Sequence, residues 1–65
     1  MSWEYRVMDR NGELAIYEVY YHDDGRVQGY TSDPGYPAGD TVDELRENLK
    51  QYCGALNKLV LPYIE

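Results

Sequence analysis

Phenylalanine is absent from this chain, cysteine occurs once, and lysine and arginine together number six against twelve aspartates and glutamates. Each shortage excludes something. A single cysteine, Cys53, rules out an internal disulfide framework and favours a reducing cytoplasm. The few cations, Arg6, Arg10, Arg26, Arg46, Lys50 and Lys58, are scattered among carboxylates, whereas nucleic-acid binding draws on clustered positive charge. Direct binding of DNA or RNA is not expected. No apolar run approaches membrane-spanning length, and Met1-Ser2-Trp3-Glu4-Tyr5-Arg6 has neither the basic start nor the apolar stretch of a secretory leader. Neither secretion nor a membrane partner is expected.

What is present is ring-bearing and acidic. Eight tyrosines and one tryptophan supply buried area through rings with a polar handle, a composition common at interfaces. The net charge of −6 is spread along the chain, as on a soluble surface. With 65 residues the chain has room for one core and one domain, residues 1–65, and that core is thin.

Period-two alternation from Trp3 to Met8 predicts a first strand, and Asn11-Gly12 suits a tight type I′ turn. Leu14 to about His22, dense in Ile, Val and Tyr, predicts a second, central strand. Asp24-Gly25 repeats the turn chemistry before a short third strand, Arg26 to about Thr31. Pro34, Gly35, Pro37 and Gly39 make the following stretch a crossing loop. Thr41-Val42-Asp43-Glu44 fits a capping box. After it, Val42, Leu45, Leu49, Tyr52, Cys53 and Leu56 recur at helical spacing as one apolar stripe. Gly54 marks either a close contact or a fraying end. Leu59-Val60-Leu61, halted by Pro62, reads as an extended tail or a short strand along a sheet edge. The expected fold is α+β, a three-stranded antiparallel β-meander followed by one helix packed on one face.

A two-residue turn at Asn11-Gly12 places Trp3, Tyr5 and Val7 on one face with Leu14, Ile16, Glu18, Tyr20 and His22, joined by Val27. The other face carries Met8, Ala15, Tyr17, Val19, Tyr21 and Tyr30, with Glu4, Arg6 and Gln28. One helix covers one face, and the aliphatic area around Val7 and Ile16 assigns it there. Tyr17, Val19, Tyr21 and Tyr30 are then left as an uncovered patch, the expected partner-binding surface for a homodimer or a basic protein.

Chemistry-bearing residues are sparse. His22-Asp23-Asp24 reads as a solvated turn rather than a metal or acid-base site, because it lacks the spacing of a calcium loop. Cys53, on the apolar stripe, reads as a buried structural thiol. Alternation along the second strand turns Glu18 toward the helix, where a tyrosine hydroxyl, Arg46 or solvent must satisfy it. Neither a phosphate loop nor paired metal ligands nor a nucleophile-base combination is present, so no catalytic residue, metal or cofactor is expected. Two other readings remain, a small-ligand protein or enzyme using Glu18 and His22, and an acidic mimic of nucleic acid.

Residues from about Leu14 to Leu56 resemble the HicB-like antitoxin domain, a partial double-stranded-RNA-binding-type fold. The likeness is carried by Asp23-Asp24-Gly25 after a hydrophobic strand, then Pro34-Gly35, then Gly39-Asp40-Thr41 opening a helix with Val42-Asp43-Glu44-Leu45. The chain is similar, too, to many small bacterial proteins of this build. The resemblance implies an acidic domain that self-associates and masks a small basic ribonuclease toxin, without the family's frequent C-terminal DNA-binding element.

Overall fold

Asn11 and Gly12 both adopt positive φ, 56° and 89°, and between them they fold the two longest strands against each other. The computed structural model describes residues 2–65. Strand β1 (Ser2–Arg10) and strand β2 (Glu13–Tyr21) pair antiparallel through Arg10↔Glu13, Val7↔Ile16 and Trp3↔Tyr20. That register is the one a two-residue turn dictates, and it gives the two faces the composition expected above. The Asp9 carboxylate braces the turn by accepting from the Gly12 amide at 2.8 Å.

The second hairpin departs from expectation. Gly25 donates to the His22 carbonyl at 2.9 Å and His22 to the Arg26 carbonyl at 2.8 Å, with Gly25 at φ 89°. This is a three-residue loop ending in a left-handed glycine, not a second two-residue turn. Strand β3 (Val27–Tyr30) follows. A bulge at Tyr20/Tyr21 sets Val27 opposite Tyr21, so Val27 leaves the Ile16 face on which simple alternation placed it.

After β3 the chain stays beside β2, with Thr31 donating to the Glu18 carbonyl at 3.0 Å and Gly35 to that of Ile16 at 2.9 Å. It then crosses to the helix α1 (Val42–Ala55). Thr41 caps the helix, its hydroxyl accepting from the Glu44 amide at 3.1 Å, while the Glu44 carboxylate reaches back to the Asp40 amide at 2.9 Å. The reciprocal capping holds, one residue further back than expected. Gly54 lies in the last turn with nothing within 4 Å of where a Cβ would sit. The end of the helix, not a close contact, accommodates it.

The sheet is not a three-stranded meander. Strand β4 (Leu61–Pro62) pairs parallel with β1 through Met8↔Leu61 and Asp9↔Pro62. The result is a curled four-stranded mixed sheet in the order β3-β2-β1-β4. Both long strands are therefore central, and the edge-strand reading of the C-terminal segment is the one realised.

That segment changes which face is closed. Beyond β4, the Tyr63 ring lies 5.2 Å from Tyr17 and 4.8 Å from Tyr30. The Tyr30 hydroxyl donates to the Ile64 carbonyl at 2.6 Å and accepts from its amide at 2.8 Å. Arg10 sits 4.3 Å over the Tyr63 ring and pairs with Glu65 at 2.7 Å. Residues 61–65 thus strap the face opposite the helix from the edge of β1 across to β3. Under the strap Met8, Tyr17 and Val19 form a core, with Val19 at 0% exposure. Burying each of the two aliphatic side chains contributes about 1.5–3 kcal/mol.

The segment leading into the strap is pinned by charge. Tyr21 donates to Glu4 at 2.6 Å, Lys58 pairs with the same carboxylate, and Arg6 donates to the Leu59 carbonyl at 2.6 Å. The Lys58 contact, then that from Tyr21, lowers the Glu4 pKa from 4.5 to about 2. A depressed carboxyl stabilises the fold above its unfolded value and loses that contribution as pH falls toward the folded one. Glu4→Gln is accordingly expected to lower the urea midpoint at neutral pH, with the difference from the parent shrinking between pH 4.5 and about 2. A difference that stayed constant over that range would contradict the assignment.

Candidate functional site

Helix α1 meets the sheet over β1 through a stack of rings. Tyr52 lies parallel to Tyr5 with centroids 4.1 Å apart, and Trp3 stands edge-on to Tyr5 at 5.1 Å. The Tyr52 hydroxyl donates to the Tyr36 carbonyl at 3.1 Å. Burial, followed by the neighbouring Tyr5 hydroxyl, pushes the Tyr52 phenol up to about 12. Asn48 donates to the Tyr5 hydroxyl at 3.5 Å and accepts from the Ala38 amide at 2.9 Å. The helix therefore covers the face assigned to it from the sequence, the one with Tyr5, Val7 and Ile16.

It does so with an unexpected side. At about 100° per residue, Val42, Leu45, Leu49, Cys53 and Leu56 span an arc of about 80°. The inward-turned residues Asn48, Tyr52 and Ala55 are centred about 90° away from that arc. Of the expected stripe only Tyr52 is buried, and Ala55 joins it at 1% exposure. Val42, Leu49 and Leu56 are 70%, 47% and 67% exposed. Cys53 is exposed as well, so the thiol is not the buried structural one anticipated.

Because α1 sits over β1, part of the matching surface of β2 stays open: Ile16 is half-buried and Leu14 is 60% exposed. Between α1 and β2 lies a groove of about 610 Å³. One wall is Leu14, Ala15 and Ile16 with Pro34, Gly35 and Pro37; the other is Leu49, Cys53 and Leu56, with Val7 and Tyr52 at the floor. Its lining is almost wholly apolar. Gly35 packs closely against the ring at the floor, since a Cβ there would come within 2.5 Å of the Tyr52 hydroxyl, which would have to shift.

The side chains singled out from the sequence fall elsewhere. Tyr17 and Val19 are buried under the strap, and Tyr21 and Tyr30 are half-buried with their hydroxyls engaged by Glu4 and Ile64. The ring-bearing face expected to be uncovered is covered by the chain's own C-terminal segment, which supplies the second layer that a lone helix could not. Glu18 is satisfied by a tyrosine, accepting from the Tyr20 hydroxyl at 3.1 Å, and it raises the Tyr20 pKa in return. His22 is exposed in the loop after β2, about 13 Å further along the strand. The structure does not bring these two together, and neither lines the groove. Among the described residues no three or more His, Cys, Asp or Glu side chains are grouped to hold a metal ion, and no helix is long and apolar enough to cross a membrane.

Sequence reasoning missed the groove, and two signals could have found it. Asn48 breaks the inward side of the helix with a polar residue, and Leu59 to Ile64 forms an apolar segment whose only large unclaimed surface is the Tyr17 face. No protein-family model, curated protein or solved structure matches the chain.

Proposed function

We propose that this chain is a small acidic protein-binding module that docks its partner in the apolar groove between α1 and β2. One observation carries the reading: the helix turns its aliphatic stripe beside the sheet rather than onto it, leaving leucines of both walls open to water. Contiguous apolar patches of a few hundred Å² on small monomers are commonly binding surfaces. A small-ligand role is disfavoured by the lining, since ligand pockets place several convergent polar groups among apolar walls. Here the Tyr52 hydroxyl is already engaged by the Tyr36 carbonyl. The HicB-like resemblance and the net charge of −6 favour the same class of role, in which the groove supplies affinity and the acidic surface selects partners.

The test is in the native cell. A benzophenone amino acid placed at Leu14 is expected to form protein adducts on illumination, whereas the same probe at Gln28, exposed on the far edge of the sheet, is not. Equal labelling at both positions, or none at Leu14, would overturn the reading.

A further inference from the structure

We infer that Glu18, with the rings of Trp3 and Tyr20 beside it, receives an arginine side chain from the protein docked in the groove. This rests on the docking reading above and names a chemical feature of the partner.

The strand register brings the site together. Trp3 stands opposite Tyr20 and Tyr5 opposite Glu18, so all four side chains leave the same face of the sheet, the one that carries the groove. Contacts run along each strand: Trp3 meets Tyr5 edge-on with centroids 5.1 Å apart, and the Tyr20 hydroxyl donates to Glu18 Oε1 at 3.1 Å. This end of the face stays open to water, with Trp3 49% exposed and Tyr20 and Glu18 half-buried.

Charge singles out Glu18. Among the described residues the half-buried carboxylates are Glu4 and Glu18. Glu4 holds both Arg6 and Lys58. Glu18 holds no cation, because each of the six lysines and arginines pairs with some other carboxylate. Lys58 also borders Trp3, in a separate hollow with Glu4 and Gln51, and its charge is met by Glu4. A part-buried carboxylate without a counter-ion has exchanged hydration for one tyrosine hydroxyl, and an incoming cation offsets that loss.

Aromatic faces attract the same charge, tryptophan most strongly, and arginine is found on them more often than lysine. A planar guanidinium stacks on a ring while presenting its fork of donors to a carboxylate, which an ammonium does not. Oε1 keeps a lone pair beside its bond from Tyr20, and Oε2 accepts from no described residue. The source is a polypeptide rather than a free small cation, since an open platform does not enclose a small ligand. Ile16, two residues before Glu18 on the same face, lines the groove. Such positions lie about 7 Å apart, within reach of one side chain on a seated partner.

The probe is N-acetyl-arginine amide, titrated at millimolar concentration into the parent. Binding is read by the fluorescence of Trp3, the one tryptophan, and by the NMR shifts of Trp3, Glu18 and Tyr20. A saturable change is expected. Replacing the probe by its neutral citrulline analogue, or the parent by Glu18→Gln, should each weaken binding at least about tenfold. The citrulline comparison leaves the protein unaltered and so is independent of how the variant folds. No saturable change, an equal response to arginine and citrulline, or unchanged affinity in Glu18→Gln overturns the inference. N-acetyl-lysine amide binding as tightly as the arginine amide overturns the guanidinium assignment. In cells, the benzophenone probe at Leu14 should give fewer protein adducts when combined with Glu18→Gln. Undiminished adducts overturn the inference and leave the docking reading standing. Saturable arginine binding with no Leu14 adducts in the parent removes the groove reading and leaves Glu18 as a guanidinium site.

Discussion

Tyr17→Ser is expected to leave the chain largely unfolded at room temperature. Tyr17 is 3% exposed and packs with Met8 and Val19 under the C-terminal strap, its ring against that of Tyr63. Truncating a buried aromatic side chain costs about 3–5 kcal/mol, and serine adds a hydroxyl to the vacated space. A domain this size commands roughly 3–10 kcal/mol in total, so most or all of the margin goes. The loss also reaches the strap, whose rings pack against Tyr17. Circular dichroism at 25 °C, with Tyr21→Ser as the comparison, checks it. Tyr21 is only half-buried, so its variant should remain folded with a lowered midpoint. A folded Tyr17→Ser of near-parental stability would mean that the strap does not seal this face.

Tyr52→Ala is the second large effect, acting on the other side of the sheet. Tyr52 is the one large buried side chain of α1, and its stack on Tyr5 is the principal means by which helix and sheet are joined. Removing the ring is expected to cost about 3–4 kcal/mol, with helical and sheet signals lost in one transition. Tyr52→Phe separates ring from hydroxyl. It gives up one hydrogen bond, to the carbonyl of the exposed residue Tyr36, so its cost should be about 1 kcal/mol. The two variants should therefore differ by several-fold in effect when unfolded in urea. Equal effects would place the helix's hold on the sheet in its hydroxyl rather than in its ring.

The elements that were legible in the sequence share a cause. Asn11-Gly12, the strand alternation and Thr41 with Glu44 act over a few residues, where turn geometry and capping leave few solutions. What was not legible is tertiary. The stripe from Val42 to Leu56 shows that a helix has an apolar side, but the rotation of α1 is set by the fit of Tyr52 between Tyr5, Gly35 and the Tyr36 carbonyl. No periodicity contains that information. The bulge at Tyr20/Tyr21 likewise shifts Val27 by a local irregularity that alternation cannot register. The strap is a parallel pairing across more than fifty residues. Its clue was compositional, an apolar segment after the helix, and the covering of Tyr17 and Val19 followed from where that segment could go.

The same reasoning explains why the exposed apolar surface lies on the other side of the sheet from the one expected. Both faces of the sheet carry apolar residues, and among the described residues one helix and one short C-terminal segment pack against them. The tail closes the centre of the Tyr17 face, over Met8, Tyr17 and Val19, while the helix, standing over β1, closes only half of the other. Leu14 and Leu49 are thus exposed because α1 stands over β1 and not over β2.

The most direct measurement is a side-by-side urea titration of Leu14→Gln, Leu49→Gln and Val19→Thr in protein dilute enough to be monomeric. Leu14→Gln and Leu49→Gln, in the open groove, should lie within about 0.5 kcal/mol of the parent. Val19→Thr, which puts a hydroxyl in the sealed core, should lose about 1–3 kcal/mol. Losses of the same size at all three positions would show that the groove is closed within the single chain, contradicting the account.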